Sequence, residues 1–499
     1  LILSFLKIFL VVFSIFFSLV NSYSLQAVSF VTVAVLARLL TPKEIGLFAV
    51  ATSIAFLASS IRSLGVSEYL IREKEITAEQ VKSVVGVVLV MSWGLGAVLL
   101  AASPWIAEFY GEQDLTLVLC IITIPFFLAP FTAVPFALMA REMNFSHIFR
   151  VDFAGGLIGS VSNISLVAMG FSYYGLACGT VIGVVAEFLI ITYYRPKSME
   201  WMPSFRNMGE IFRIGMLISI SKTLNTTSQN VTDLVLGRLA TMDKVGLFSR
   251  GIGLILFLRN LIINSVGNVA LPHLSQVHRD GESVKDAYLN AIVLVGAFAM
   301  PIFAVVNLSA YPMITALFGN QWTESTEIAS ILAIWAMLQS VHCFSSQALL
   351  TIGKERTIMW YDTLSFAVKL GLIIVAATIS MTHVAWAIVL SGAFDLIVIS
   401  CILYYAISLS PLQVFRAFAP NLIVAVSCWG AIKLLSLEVN FEETNSWLVI
   451  LLIAAVAVPT WTLGLKLTSN KAWAIVVELC SHLLKVVSRK GSQGKGSQG

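Results

Sequence analysis

Charge is what this sequence has least of. Only 12% of its 499 residues are Asp, Glu, Lys or Arg, about half of the roughly 25% that a soluble globular protein carries. Hydrophobic residues make up 58%. A chain with that balance is built for lipid. Cysteine is scarce too. Cys120, Cys178, Cys343, Cys401, Cys428 and Cys480 show no CxxC pair and no Cys/His ligand spacing, and most fall inside apolar runs. They read as small buried hydrophobes, which excludes a zinc motif or a disulfide framework. No GxxxxGK[ST] phosphate loop occurs, so the chain does not supply its own ATP hydrolysis. No cofactor motif is present, and a formal charge of +4 is too small to indicate nucleic acid.

What the sequence does have is long apolar runs. A helix needs about 20 apolar residues to cross roughly 30 Å of hydrocarbon. Fourteen runs of that length lie between charged or Gly/Pro/Asn punctuation: 15–38, 45–66, 82–104, 115–138, 151–171, 174–194, 210–236, 245–270, 287–309, 325–347, 357–379, 383–406, 416–436 and 446–466. The fold class expected is therefore an all-α polytopic membrane protein of about 14 transmembrane helices. Residues 1–20 also admit reading as a signal peptide cut after Ser22-Tyr23-Ser24. Cleavage there would leave about 15 residues of the first span, too few to cross, so this stretch is assigned to span 1.

The runs repeat. VTVAVLARLLTPKEIGLF (31–48) and VTDLVLGRLATMDKVGLF (231–248) share ten of eighteen residues in register, closing span 1 and span 7. PWIAEFYGEQ (104–113) matches PMITALFGNQ (312–321) after spans 3 and 9, and Glu187 in span 6 has its counterpart in Asp395 of span 12. The offset grows from 200 to 208 across the longer loop that contains SQVHRDGESVKDAY. Six crossings separate the copies, so both point the same way. A parallel repeat of six helices implies two bundles related by an axis along the membrane normal, with a midplane site between them. The domains expected are an N-terminal bundle (1–205, spans 1–6), a C-terminal bundle (206–410, spans 7–12), two further helices (411–467), an amphipathic interfacial helix (468–490) and a flexible tail (491–499).

Orientation follows from Lys and Arg. With the N-terminus cytoplasmic, 22 of the 31 basic residues lie inside and five outside: Arg38, Lys43, Arg238, Lys244 and Lys433. An even number of spans returns the C-terminus to the cytoplasm. There, Trp473, Val476, Cys480, Leu483, Leu484 and Val487 share one face and Lys471, Glu478, Lys485 and Arg489 lie elsewhere, an interfacial pattern.

Polar residues inside the spans carry the functional signal. Lys222, Asn225, Thr226, Gln229 and Asp233 fall at i, i+3, i+4, i+7 and i+11 on span 7, one helical face. Span 8 carries Asn260, Asn264 and Asn268 beside Arg259, and Lys369 sits within span 11. A charge at mid-membrane costs about 2.5–3.5 kcal/mol on insertion scales, so such residues face a bundle interior or a wet cavity. The alternative for each single amide or hydroxyl is interhelical glue. Arg38 and Arg238 end their helices and either snorkel to the interface or line the cavity. Arg250 and Arg259 are nine residues apart, about half a rotation, so one cavity takes only one of them, and Arg259 stands next to the Asn row. His342 reads as a satisfied core histidine. Cationic donors suit an anionic group, and amides and hydroxyls suit a polar, uncharged one. Lys222 and Arg259 are the leading candidates to hold an anionic group. Arg38, Asn225, Gln229, Arg238, Asn264 and Lys369 complete the expected substrate lining. Glu187 and Asp395, with Asp233 in reserve, are candidate ion-coupling groups, and their alternative is a structural hydrogen bond or ion pair.

At LARLLTPKEIGLFAVA (36–51), IAEFYGEQDL (106–115), REMNF (141–145), GLFSRGIGL through VALPHLSQ (246–276) and LFGNQW (317–322), the chain resembles polysaccharide transporters of the multidrug/oligosaccharidyl-lipid/polysaccharide exporter superfamily. In particular it resembles colanic-acid-type and O-antigen (Wzx) flippases. That resemblance implies a flippase, not an enzyme. It would turn polyprenyl-pyrophosphate-linked oligosaccharide units from the cytoplasmic to the periplasmic leaflet of the bacterial inner membrane by alternating access. It also implies an H+ or Na+ gradient as the energy source, and a polysaccharide polymerase and chain-length regulator as partners. In the related lipid II flippases two extra helices form an apolar groove for the lipid tail, which spans 13 and 14 would provide here. A drug antiporter of the same superfamily is the nearest alternative, but it usually has 12 spans and a more acidic cavity. A membrane polymerase or ligase is the alternative of another class. Its large outer loop with catalytic Arg or His is missing, since the outer loops here are short and their His is His383 at a helix end.

Overall fold

The computed structural model describes residues 21, 23–63, 70, 76–196, 198–205, 208–468 and 472–474, without the side chains of 63, 208, 210–222, 264–266 and 268–269. The segment 1–20 and most of the expected interfacial helix lie outside these residues. Every long element described is a helix: α1 (Tyr23–Leu39), α2 (Pro42–Ser63), α3 (Ala78–Tyr110), α4 (Asp114–Arg141), α5 (Phe145–Leu166), α6 (Ser172–Tyr194), α7 (Met208–Leu239), α8 (Met242–Arg279), α9 (Val284–Phe318), α10 (Ser325–Val341), α11 (Ser345–Thr351), α12 (Glu355–Ala377), α13 (Met381–Ile407), α14 (Pro411–Glu438) and α15 (Ser446–Leu467).

Eleven of the described stretches are long and apolar enough to cross a membrane, one of them being Phe145–Tyr194. That stretch is two helices packed on each other, since the chain reverses at Gly170 (φ 93°) and Ser172 (φ 53°). With α1 and the 32-residue α7, whose polar stripe lowers its hydropathy, the described helices fall into register with the fourteen spans expected. Span 10 is α10 and α11 together, interrupted at residues 342–344.

Local sequence accounts for where helices begin. In TPKE, Thr41 and Glu44 form a reciprocal cap: the Thr41 N–H donates to Glu44 Oε2 at 2.7 Å, and the Glu44 N–H donates to Thr41 Oγ1 at 3.4 Å. Pro42 stands at the first helical position, where its missing N–H costs nothing. Thr77 with Gln80 starts α3 in the same way, and Ser410-Pro411 with Gln413 starts α14. Gly111 ends α3 at φ 71° in the left-handed conformation.

The chain divides into two compact units. Of the described residues, the first comprises those within 1–250, 317–322 and 366–381, and the second those within 251–316, 323–365 and 382–474. In the first, Val81, Val84, Val85 and Val88 of α3 pack on Val134, Ala137 and Leu138 of α4. α5 and α6 approach through glycine: a Cβ on Gly159 would stand 3.2 Å from the Gly183 Cα, and one on Gly179 would overlap Asn163. In the second, Ala297 of α9 packs with Val424 and Cys428 of α14 and Leu465 of α15. Large apolar side chains such as Val98, Leu189, Val375, Ile397 and Leu451 are more than 60% exposed, as expected where the surrounding medium is hydrocarbon.

Candidate functional site

The polar stripe on α7 divides into an open part and a packed part. Asn225 and Gln229 are exposed and linked, with the Gln229 amide donating to Asn225 Oδ1 at 2.6 Å. One turn on, the helix turns its polar groups to α2. Ser53, buried on α2, donates to Asn230 Oδ1 at 3.3 Å and to Asp233 Oδ2 at 3.4 Å. Asp233 also interacts electrostatically with Arg250 near the start of α8, and the Arg250 guanidinium lies 5.7 Å from the Trp322 ring centre. Lys369 on α12 donates to the Ser228 carbonyl at 2.6 Å. Asn225, Gln229 and Lys369 of the expected lining, with the reserve coupling candidate Asp233, thus gather around the C-terminal half of α7. Lys222 shares the helix, three residues before Asn225, with its side chain outside the described residues.

Arg38 and Arg238 are both exposed at helix ends. Arg38 Nε donates to the Leu317 carbonyl at 3.3 Å, and the Arg238 guanidinium sits 4.9 Å from the Phe109 ring centre.

In the second unit, Arg259 lies 5.9 Å from the Trp335 ring centre and within electrostatic reach of Cys343. Its Nε is buried without a hydrogen-bond partner among the described residues. Asn264 stands further along α8, its side chain outside the described residues. Nearby runs a polar chain: Tyr288 Oη meets His342 Nδ1 at 2.9 Å, and His342 Nε2 meets Ser400 Oγ at 2.9 Å. Both ring nitrogens of His342 are therefore engaged, as a satisfied core histidine requires. The Gln339 amide donates to Asp395 Oδ2 at 3.3 Å.

Each of the two repeat-related acids has an acidic neighbour that spacing alone missed. Glu187 on α6 interacts with Asp152 on α5, and Asp152 accepts from the Asn21 amide at 2.9 Å. Asp395 on α13 interacts with Asp362 and Tyr361 on α12. The arrangement is one acid on each helix of a neighbouring pair, with an amide donor to one of them. Each carboxylate of a pair so placed opposes the charge of the other. The Glu187 side chain covers Gly155, where any Cβ would overlap it.

A cavity of about 410 Å³ opens in the second unit between α9, α14 and α15, walled by Phe298, Pro301, Val305, Cys428, Ile453 and Trp461 among other apolar side chains, with Ser309 at its edge. The polar tip of Trp461 is turned away into a bond with the Ala297 carbonyl at 3.0 Å.

Residues 35–327, more than half of the chain, match the pattern of a family described as polysaccharide biosynthesis protein. The chain belongs to that family. The match takes in residues 35–48 of the first copy of the repeated phrase, the whole of the second copy and the whole of α7. Among curated relatives of this family member, the teichuronic acid biosynthesis protein TuaB of Bacillus subtilis is 21% identical over 422 residues, 81% of this chain and 85% of that one. The succinoglycan biosynthesis transport protein ExoT of Rhizobium meliloti is 23% identical, covering 61% and 62%. The lipopolysaccharide biosynthesis protein WzxC of Escherichia coli is 20% identical, covering 62% and 64%. Among solved structures, the inward closed conformation of the lipid II flippase MurJ superposes with a TM-score of 0.75 over 90% of this chain and 98% of that one, at 13% identity. An inward-facing multidrug resistance MATE family transporter of the MOP superfamily gives 0.64 over 77% and 94%, at 18% identity. These likenesses establish the fold.

Proposed function

We propose that this chain is a secondary transporter, a flippase that carries polyprenyl-pyrophosphate-linked oligosaccharide units from the cytoplasmic to the outer leaflet of the bacterial inner membrane, with both termini cytoplasmic. The observation that carries the proposal is the exposed Asn225–Gln229 pair on a helix of membrane length, in a member of a polysaccharide biosynthesis family. Amides held open at that depth are costly unless they meet water or a polar cargo. Amide donors and acceptors match sugar hydroxyls without selecting one sugar.

Lys222 and Arg259 supply the cationic contacts for the pyrophosphate, Arg259 offering the buried Nε donor described above. The apolar cavity beside α14 and α15 suits the first isoprene units of the lipid tail. Glu187 and Asp395, each with its acidic neighbour, are the coupling groups for H+ or Na+, and Asp233 is the next candidate. A polymerase and a chain-length regulator would receive the product.

The test is translocation of lipid-linked oligosaccharide by the purified chain in proteoliposomes, with Lys222→Gln/Arg259→Gln as the control. Transport that needs both residues supports the assignment. Transport of drug cations with none of lipid-linked oligosaccharide replaces it by an antiporter.

A further inference from the structure

The two copies of the repeated phrase meet in space. A Cβ on Gly46 would overlap the Met242 carbonyl oxygen and stand 2.9 Å from the Gly246 nitrogen. A Cβ on Gly246 would overlap the Pro42 carbonyl oxygen and stand 3.1 Å from the Gly46 nitrogen. Each helix start thus lies against the other's backbone through the same glycine of the phrase. Only glycine permits that approach.

Contacts beside the crossing are exchanged between the repeats. Arg38 of the first copy bonds the Leu317 carbonyl, and Arg238 of the second lies over Phe109. Phe109 and Leu317 are themselves equivalent at the 208-residue offset. The end of α1 is further held by Gln321, whose amide reaches the Ala37 and Leu40 carbonyls at 2.6 and 3.0 Å, and by the fully buried Trp322, which donates to Ala37 at 2.8 Å. These side chains satisfy carbonyls that a helix end otherwise leaves to water. Lys43 adds an ion pair to Glu112 at 3.4 Å.

We infer that the two copies form a latch that holds this face of the protein shut, with Arg38 and Arg238 serving closure rather than contact with the transported group. The reasoning uses the transport reading above only in supposing that the face must open. The side-chain contacts just named are hydrogen bonds, an ion pair and a cation–π contact, and at the glycines backbone meets backbone. Such an interface separates at small cost compared with an interdigitated apolar one.

The test uses the full chain in nanodiscs, its native cysteines replaced by serine and Ser53→Cys as reporter. Ser53 is buried between α2 and α7, so its labelling by a maleimide reports separation of those helices. Gly46→Ala is expected to raise the labelling rate at least fivefold, and Lys43→Glu about threefold, with Lys43→Glu/Glu112→Lys returning to within twofold of the reference. A rate unchanged in Gly46→Ala overturns the latch. Where that variant fails to fold, the charge variants decide: an unchanged rate in Lys43→Glu, or one raised equally in the single and the swapped variant, overturns it. The assay contains no oligosaccharide, so a chain that labels as expected yet moves no lipid-linked oligosaccharide keeps the latch and loses the substrate assignment.

Discussion

Lys369 spends its ammonium on the backbone carbonyl of Ser228, 141 residues earlier, at 2.6 Å. That bond ties α12 to the middle of α7 beside Asn230 and the exposed amide pair. A charge-assisted hydrogen bond contributes about 1.5–3 kcal/mol, and less here because Lys369 is half-exposed. Lys369→Met is expected to lower stability by about 1 kcal/mol without added substrate, and Lys369→Gln, which keeps a donor, by less. Thermal unfolding in detergent checks this. A loss seen only in the presence of lipid-linked oligosaccharide would make Lys369 a ligand and not a tether.

Asn225 and Gln229 bond each other and stand open, so removing both should leave the fold alone. Asn225→Ala/Gln229→Ala is expected to keep normal abundance in the membrane while cutting surface polysaccharide about tenfold. That reduction corresponds to roughly 1.4 kcal/mol of lost contact with cargo, within the range of one or two hydrogen bonds. Quantified surface polymer against immunoblotted protein is the measurement.

The α5/α6 hairpin is held by glycines at four-residue spacing, Gly155 and Gly159 on one helix and Gly175, Gly179 and Gly183 on the other. Small residues at this spacing let membrane helices approach closely. Gly179→Leu would drive its side chain into Asn163 and is expected to destabilise by about 3 kcal/mol, read as a fall in melting temperature and in membrane abundance. Gly94→Leu, at a position with open space around it, is the control and should change little.

Much of the fold was legible in the sequence. Apolar run length places the helices, and the repeated phrase marks equivalent points whose meeting at Gly46 and Gly246 is a tertiary fact the repeat alone does not state. The glycine spacing on α5 and α6 is also present in the sequence, set among apolar residues that give it no contrast. The acidic neighbours were not legible in the same way. Asp152 and Asp362 do not fall at the 208-residue offset that relates Glu187 to Asp395, so only packing brings each to its partner. The spacing on span 7 predicts one polar face, but the described part of that face divides along its length. Asn225 and Gln229 stay open, while Asp233 is taken up by Ser53 of α2, a buried hydroxyl with no sequence signal of its own.

The orientation assigned from charge has a direct check. Cysteine labels at Asn320 and Ser283 are expected to react with an impermeant reagent from opposite sides of the membrane, outer and inner respectively. Reaction of both from one side would discard the parallel two-bundle topology.

The last prediction concerns energy coupling. Exporting a group of charge about −2 is already favoured by an inside-negative potential, by about 4.6 kcal/mol at 100 mV with roughly 2.3 kcal/mol per charge. Ion entry is therefore needed less to push the cargo than to reset the empty carrier. Two acids on adjacent helices suit that task, because moving the helices apart or together changes whether both can be ionised. Glu187 with Asp152 and Asp395 with Asp362 provide one such pair each. Glu187→Gln and Asp395→Asn should each weaken the response of vesicle transport to an imposed pH gradient while the electrical potential is clamped. Gly155→Ala should act as Glu187→Gln does, because its methyl group takes the place of the Glu187 side chain. A single turnover, started with cargo already bound, should be little affected by any of the three, whereas repeated turnover should slow at least tenfold. If repeated turnover in both acid variants keeps its full dependence on the gradient, these acids are structural, and Asp233, facing Ser53 and Arg250, becomes the group to test.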